Sequence, residues 1–249
     1  MKLNIVPART GVIWVKQGIT TFFKQPLALA GLFFLYMAAI ILVAQIPYIG
    51  IFIGGMLVPG ATLGLMAAAA EAAKGKFPMP TVLVSAFRAG RERARAMLVL
   101  GAIYTAGSVL ATQAATLIAG APSGQATEFD ATALLALALH TPLFLMFWHA
   151  PALVHWRGVS PVKSLFFSVV ACLRNFGALT VYSFVWLAVF LGAGMTFGLV
   201  GGLIGGATMA RAVMMPTALL LAAMFSTSIY FTFRDSFAEE EPQPPGESP

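Results

Sequence analysis

Three histidines and a stripe of hydroxyls are the side chains of this sequence whose types invite a chemical reading. His140, His149 and His155 share one apolar stretch, and a histidine cluster would serve metal ligation or proton transfer. Their spacing spoils the cluster. At about 100° and 1.5 Å per helical residue, His140 and His149 face opposite ways, roughly 13 Å apart along the axis, and His155 stands about 120° from His149. No carboxylate lies inside an apolar stretch to orient an imidazole or complete a zinc site. His140 and His155 are expected at opposite edges of the stretch. His149 is then the one ionisable group well inside it, a functional candidate by default and, more simply, a neutral packing histidine.

The hydroxyl stripe is Thr105, Ser108, Thr112 and Thr116, with Gln113 beside it. Steps of three and four residues put the four hydroxyls on one helix face. Such a face can line a solute path, or it can bond a neighbouring helix and its own backbone. A proton relay through a membrane normally uses buried carboxylates, and none is present. The sequence also holds no GxSxG, P-loop or HExxH pattern. No catalytic residue, metal site or cofactor is expected, and the chain is read as a non-enzyme. Cys172 stands alone, so an internal disulfide is excluded.

The elements that would carry these residues follow from composition. Hydrophobic residues make up 59% and charged residues 10%, with a mean hydropathy of +0.87. A water-facing surface normally needs about a quarter charged residues, so lipid must replace water over much of the exterior. Long charge-free gaps, such as Lys24 to Glu71 and Arg174 to Arg211, place the spans, because a crossing takes roughly 20 residues. The expectation is an all-α, polytopic membrane helix bundle spanning residues 1–235. Six transmembrane helices near 27–47, 49–70, 97–118, 132–154, 178–200 and 208–233 would be arranged in three hairpins. Pro47, Tyr48 and Gly50 mark the first turn. The acidic, proline-rich stretch 236–249 is expected to be a disordered tail. The first apolar run starts too far from Met1, and is too long, for a cleavable signal.

Fourteen of the fifteen Lys and Arg residues fall on one side of this threading, and Arg211 falls opposite. By the positive-inside rule both termini are cytoplasmic. The bases lie in three segments with helical periodicity, expected as cytoplasmic amphipathic interfacial helices. In the first, Val12, Val15, Ile19, Phe22 and Phe23 oppose Arg9, Lys16 and Lys24. In the second, Leu83, Phe87, Gly90, Ala94 and Leu98 oppose Arg88, Glu92 and Arg95, with Arg91 nearby. In the third, Val162, Leu165, Val169 and Leu173 oppose Lys163, Ser164 and Ser168, and Arg174 follows. Trp14 and Trp156 are expected to anchor at headgroup level. Arg9, Lys16, Lys24, Arg88, Arg91, Arg95, Lys163 and Arg174 are the candidate contacts to anionic lipid, although the same bases serve to fix topology. Positive-inside topology already accounts for the high pI, so nucleic acid is not an expected partner. Membrane lipids, a membrane protein or a second copy of the chain are. Prolines 59, 151 and 216 recur in the second span of each hairpin, as hinges or packed bends. Gly194, Gly198, Gly202 and Gly206 form a small-residue stripe suited to close helix contact.

The opening Met1 to Ala8, Trp14, Phe22-Phe23, Gln25-Pro26-Leu27, Pro59 with Thr62-Leu63-Gly64, and Pro151 with Trp156 resemble an uncharacterised family of six-span inner-membrane proteins of Gram-negative bacteria. More loosely, the chain is similar to the membrane domain of some glycerophosphodiester phosphodiesterases, without their soluble catalytic barrel. The resemblance implies the bacterial inner membrane as the location, and it supplies no catalytic residues. The function expected is a non-catalytic structural or accessory component engaging lipids or membrane partners. The alternative is a transporter or channel for a neutral or amphiphilic solute.

Overall fold

The computed structural model describes residues 2–120 and 130–237, and among them every regular element is helical. Helix α1 (Thr10–Lys24) is followed by α2 (Pro26–Ala44) and α3 (Gly50–Ala73). A 3-10 turn over Pro80–Val84 leads into the short α4 (Ser85–Arg88). Then come α5 (Arg91–Ala119), α6 (Ala131–Phe147), α7 (Ala150–Arg157), α8 (Pro161–Arg174) and α9 (Phe176–Ser236). Five helices, with α6 and α7 taken as one, are long and apolar enough to cross a membrane. Glu128 and the tail beyond Phe237 lie outside the described residues.

Close backbone approach at glycine sets the packing. At the crossing of α3 and α5, Gly101 lies against the Met56 backbone and Gly55 against Thr105. Further along α3, Gly60 meets the Phe87 ring and Gly64 the Leu83 backbone, so the turn and α4 fold down onto α3. A Cβ at Gly101 or Gly64 would need space already filled by backbone, which cannot shift cheaply.

Helix α9 is two arms. Gly205 (φ −144°, ψ 21°) and Gly206 (φ 66°, ψ −160°) leave helical geometry, the second in a region that glycine enters without a Cβ penalty. The chain turns back there, and Gly201 packs against Ala210. Further from the turn, the Trp186 and Phe225 rings stand 5.6 Å apart. The Ser228 hydroxyl gives its one proton to the Phe225 carbonyl (2.6 Å). It therefore accepts from the Tyr182 hydroxyl (2.6 Å) and the Trp186 indole (3.1 Å). The glycine stripe works differently from the expectation. Gly194 and Gly202 face open space, and the residues that bring the arms together and turn them are Gly201, Gly205 and Gly206.

Helix α1 lies across both arms. Gly11 sits on the Ala178 and Tyr182 backbone and Gly18 on Ser228. Trp14 is 0% exposed. Its indole donates to Asp235 Oδ2 at 2.9 Å, and its ring meets Tyr182 edge-on. Trp14 is thus not a headgroup anchor: once its N–H has a carboxylate partner and its ring an aromatic one, the protein outcompetes the interface. The buried face of α1 is Gly11, Trp14, Val15, Gly18, Thr21 and Phe22, while Val12 and Phe23 stay exposed. Asn175 closes this end of the molecule. Its side chain accepts from the Val6 N–H (2.8 Å) and donates to the Asn4 carbonyl (3.0 Å), and Asn4 N–H bonds Ser236 O (2.9 Å).

Two of the expected interfacial helices also come out differently. The segment 80–98 is not one helix, because Gly90 at φ 106° interrupts it before α5 begins. Helix α8 has the expected extent, and its faces divide differently. Ser164, Leu165, Ser168, Ala171 and Cys172 are buried, whereas Val162, Phe166 and Leu173 are exposed. The cause is the break between α6 and α7. Pro151 has no N–H to continue the ladder, and the His149 N–H has left the Leu145 carbonyl. Ser168 takes both places: its hydroxyl accepts from His149 N–H (3.0 Å) and donates to Leu145 O (2.7 Å). A hydroxyl of one helix thus splices the broken ladder of another.

Candidate functional site

Most of the expected lipid-contact cations stand at or beside helix ends, and Lys16 lies within α1. Arg9, Lys16, Lys24, Arg88, Arg91, Arg95, Lys163 and Arg174 are all exposed. Bonds between distant segments hold this basic end together: Gln25 Nε2 donates to Lys76 O (3.0 Å), and Arg157 donates to Phe237 O (2.8 Å).

A cavity of about 550 Å³ opens there. It is built from the end of α3 outward. Gly75 at φ 76° ends that helix, and the Lys76 N–H returns to the Glu71 carbonyl at 2.9 Å, the double bond pattern of a glycine C-cap. Lys76 is thereby turned back beside the last helical turn. The 3-10 turn and α4 contribute Thr81, Ser85 and Arg88, and α7 brings His155 across. Glu71, Lys76 and Arg88 form no ion pair with one another; the pair seen among the described residues is Arg234 with Asp235. Ser85 Oγ and His155 Nδ1 are buried without a hydrogen-bond partner. Each such atom costs about 1–3 kcal/mol when left unsatisfied.

Serine, histidine and glutamate around one cavity are the residue types of nucleophilic catalysis. Ser85 Oγ and His155 Nδ1 bond neither each other nor any other group. Of the cavity's residues, the sequence pointed to Arg88 alone as a contact, and Glu71, Lys76, Thr81, Ser85 and His155 went unread as a set. The helix-ending glycine at 75 was the available signal for Lys76.

The intramembrane candidates do not converge. On α5 the Thr105 hydroxyl donates to Gly101 O (2.9 Å), Thr112 to Ser108 O and Thr116 to Thr112 O (both 3.0 Å). Ser108 instead reaches across to His140 Nε2 at 3.0 Å. Thr112 and Gln113 are exposed. His149 is 1% exposed, with its ring set against Phe237 (5.4 Å) and Phe233 (6.0 Å) and Nδ1 unpartnered. No group of three His, Cys, Asp or Glu side chains among the described residues could hold a metal ion. Burial pushes the Cys172 thiol up to about 12, against a smaller opposing effect of its hydrogen bond with Ser168.

Compared with known proteins, the chain is 38% identical over 262 residues to a protein of Burkholderia thailandensis named "Probable inner membrane protein", covering 98% of this chain and 97% of that one. No family model matches, and no solved structure does.

Proposed function

The chain belongs to the family of that inner membrane protein, and from this premise we propose a six-crossing member with both termini in the cytoplasm. It acts without catalysis, as a structural or accessory component that engages membrane lipids or partner proteins. Multi-pass insertion agrees with five long apolar helices. The sixth crossing follows from the reversal at Gly205 and Gly206, because each arm of α9 exceeds the roughly 20 residues a crossing takes. The pairs α2 with α3, α5 with α6, and the two arms of α9 are then the three hairpins. Orientation rests on the exposed bases at one end. A reporter fused after Asp130 is expected outside the cytoplasm, and one fused after Phe237 inside. The reverse result would overturn the orientation.

The observation that carries the lipid reading is the exposure of eight cations, most of them beside helix ends, on a bundle with many exposed apolar side chains. Each base near an anionic surface contributes about 1 kcal/mol. Purification in a gentle detergent, followed by lipid analysis, tests it. Anionic lipid should be enriched over the bulk membrane, and neutralising Arg9, Lys16, Lys24, Lys163 and Arg174 together should reduce the enrichment. Retention of neutral lipid alone would sink the reading. The phosphodiesterase likeness gains no support from the relative. The solute-path reading keeps the hairpin repeat and the kink-forming prolines as motives, while the Thr105, Thr112 and Thr116 hydroxyls donate to their own backbone.

A further inference from the structure

We propose that the cavity at the basic end is a discrete binding site for a phosphodiester, held by Lys76, Arg88, Ser85 and His155; the inference rests on the lipid-engaging reading above. Lys76 and Arg88 come from opposite sides of the turn that follows α3, and they share one cavity without an ion-pair partner among the described residues. Two exposed cations on the walls of one cavity, with no counter-charge bonded to them among the described residues, lower the cost of seating an anion. The donor set suits phosphate: a guanidinium fork binds two oxygens at once and an ammonium acts as a point charge. The hydroxyl of Ser85 and the ring nitrogen of His155 are sealed and unbonded on side chains that line the cavity, so a side-chain rotation would offer the ligand two hydrogen-bonding groups that the protein itself leaves unused.

Charge decides between phosphate classes. Glu71 lines the same cavity, so with a neutral imidazole the walls carry one net positive charge. That balances the single negative charge of a phosphodiester better than the larger charge of a phosphomonoester or free phosphate. Glu71 also offers an acceptor to a hydroxyl or ammonium on the esterified alcohol. The cavity mouth carries Phe77 and Met79, both exposed, as befits a site beside acyl chains. A phospholipid headgroup and a small soluble diester share the chemistry, and the experiment separates them.

The full-length protein in detergent is titrated with phosphatidylglycerol and read by native mass spectrometry. In parallel, thermal unfolding is followed with dimethyl phosphate and with inorganic phosphate. One phosphatidylglycerol should be retained most tightly. Its affinity should fall at least tenfold in a Lys76→Ala, Arg88→Ala variant and several-fold in Ser85→Ala. It should be unchanged in Lys163→Ala, Arg174→Ala, which removes two cations outside the cavity. Ser85 Oγ bonds nothing in the protein, so Ser85→Ala does not lower the unfolding temperature and serves if the double variant is unstable. Stabilisation of the wild type, but not the double variant, by dimethyl phosphate assigns a soluble diester; an effect of phosphatidylglycerol alone assigns a lipid. Inorganic phosphate matching dimethyl phosphate overturns the diester assignment. Equal losses in both double variants overturn the discrete site while leaving the lipid reading standing. No enrichment of anionic lipid in the wild type fails that broader reading itself.

Discussion

The two ends of the α9 hairpin obey different rules. At the end carrying both helix termini, Tyr182, Trp186, Ser228 and Phe231 are buried under α1, and Trp14 is sealed among them. At the turn, Leu203 is 87% exposed, and Leu199 and Ile204 are also open. A soluble protein would not tolerate the second arrangement. In lipid it costs nothing, because acyl chains solvate leucine as well as a neighbouring helix does. Packing is concentrated instead where the backbone breaks and polar groups need partners: at the Asn175 clasp, at the α6–α7 break and under α1. Order in this protein follows unsatisfied backbone more closely than it follows hydrophobicity.

That contrast can be tested by mutation. Trp14→Ala should have the largest effect, about 3–5 kcal/mol for a buried indole. The expected readout is a large fall in unfolding temperature in detergent and release of α1 to proteolysis; a small shift would mean α1 is only loosely docked. Ser168→Ala should come next, at about 1–3 kcal/mol, since it leaves the Leu145 carbonyl and the His149 N–H without partners. A wild-type unfolding curve would show that another group can complete that ladder. Leu203→Ala, at the lipid-facing turn, should stay within about 0.5 kcal/mol by the same measurement. A loss near that of Ser168→Ala would erase the distinction between the two ends. Finally, Cys172 should show no maleimide labelling in the native protein from pH 7 to 9. Its thiol is pushed up to about 12 by burial, so the thiolate appears only above that range. Labelling is expected once SDS unfolds the chain, and native labelling would place α8 in an open position.

The long apolar helices were legible because a bilayer imposes a negative rule: no charge for about twenty residues. The expected 27–47 and 49–70 meet helices Pro26–Ala44 and Gly50–Ala73, and the reversal near residue 205 falls between the expected 178–200 and 208–233. The faces of the short helices were not legible. The α8 periodicity grouped Leu165 with Val162 and Leu173 and set Ser164 and Ser168 with Lys163, yet Leu165, Ser164 and Ser168 are buried while Val162, Leu173 and Lys163 are exposed, because polarity does not mark the interior once lipid is the solvent. Trp14 was misread for the same reason. The cavity was invisible to periodicity, since Glu71, Lys76, Ser85, Arg88 and His155 lie on four separate segments and share no spacing.

The hydroxyl of Ser168 also sets a timetable. It completes a crossing that lies 19 residues before it. At a synthesis rate of about 5–20 residues per second, the ribosome must run on for roughly 1–4 s after His149 before that crossing's own backbone is whole. Until then the kinked segment has an open seam, and whatever receives it from the translocon receives it unfinished.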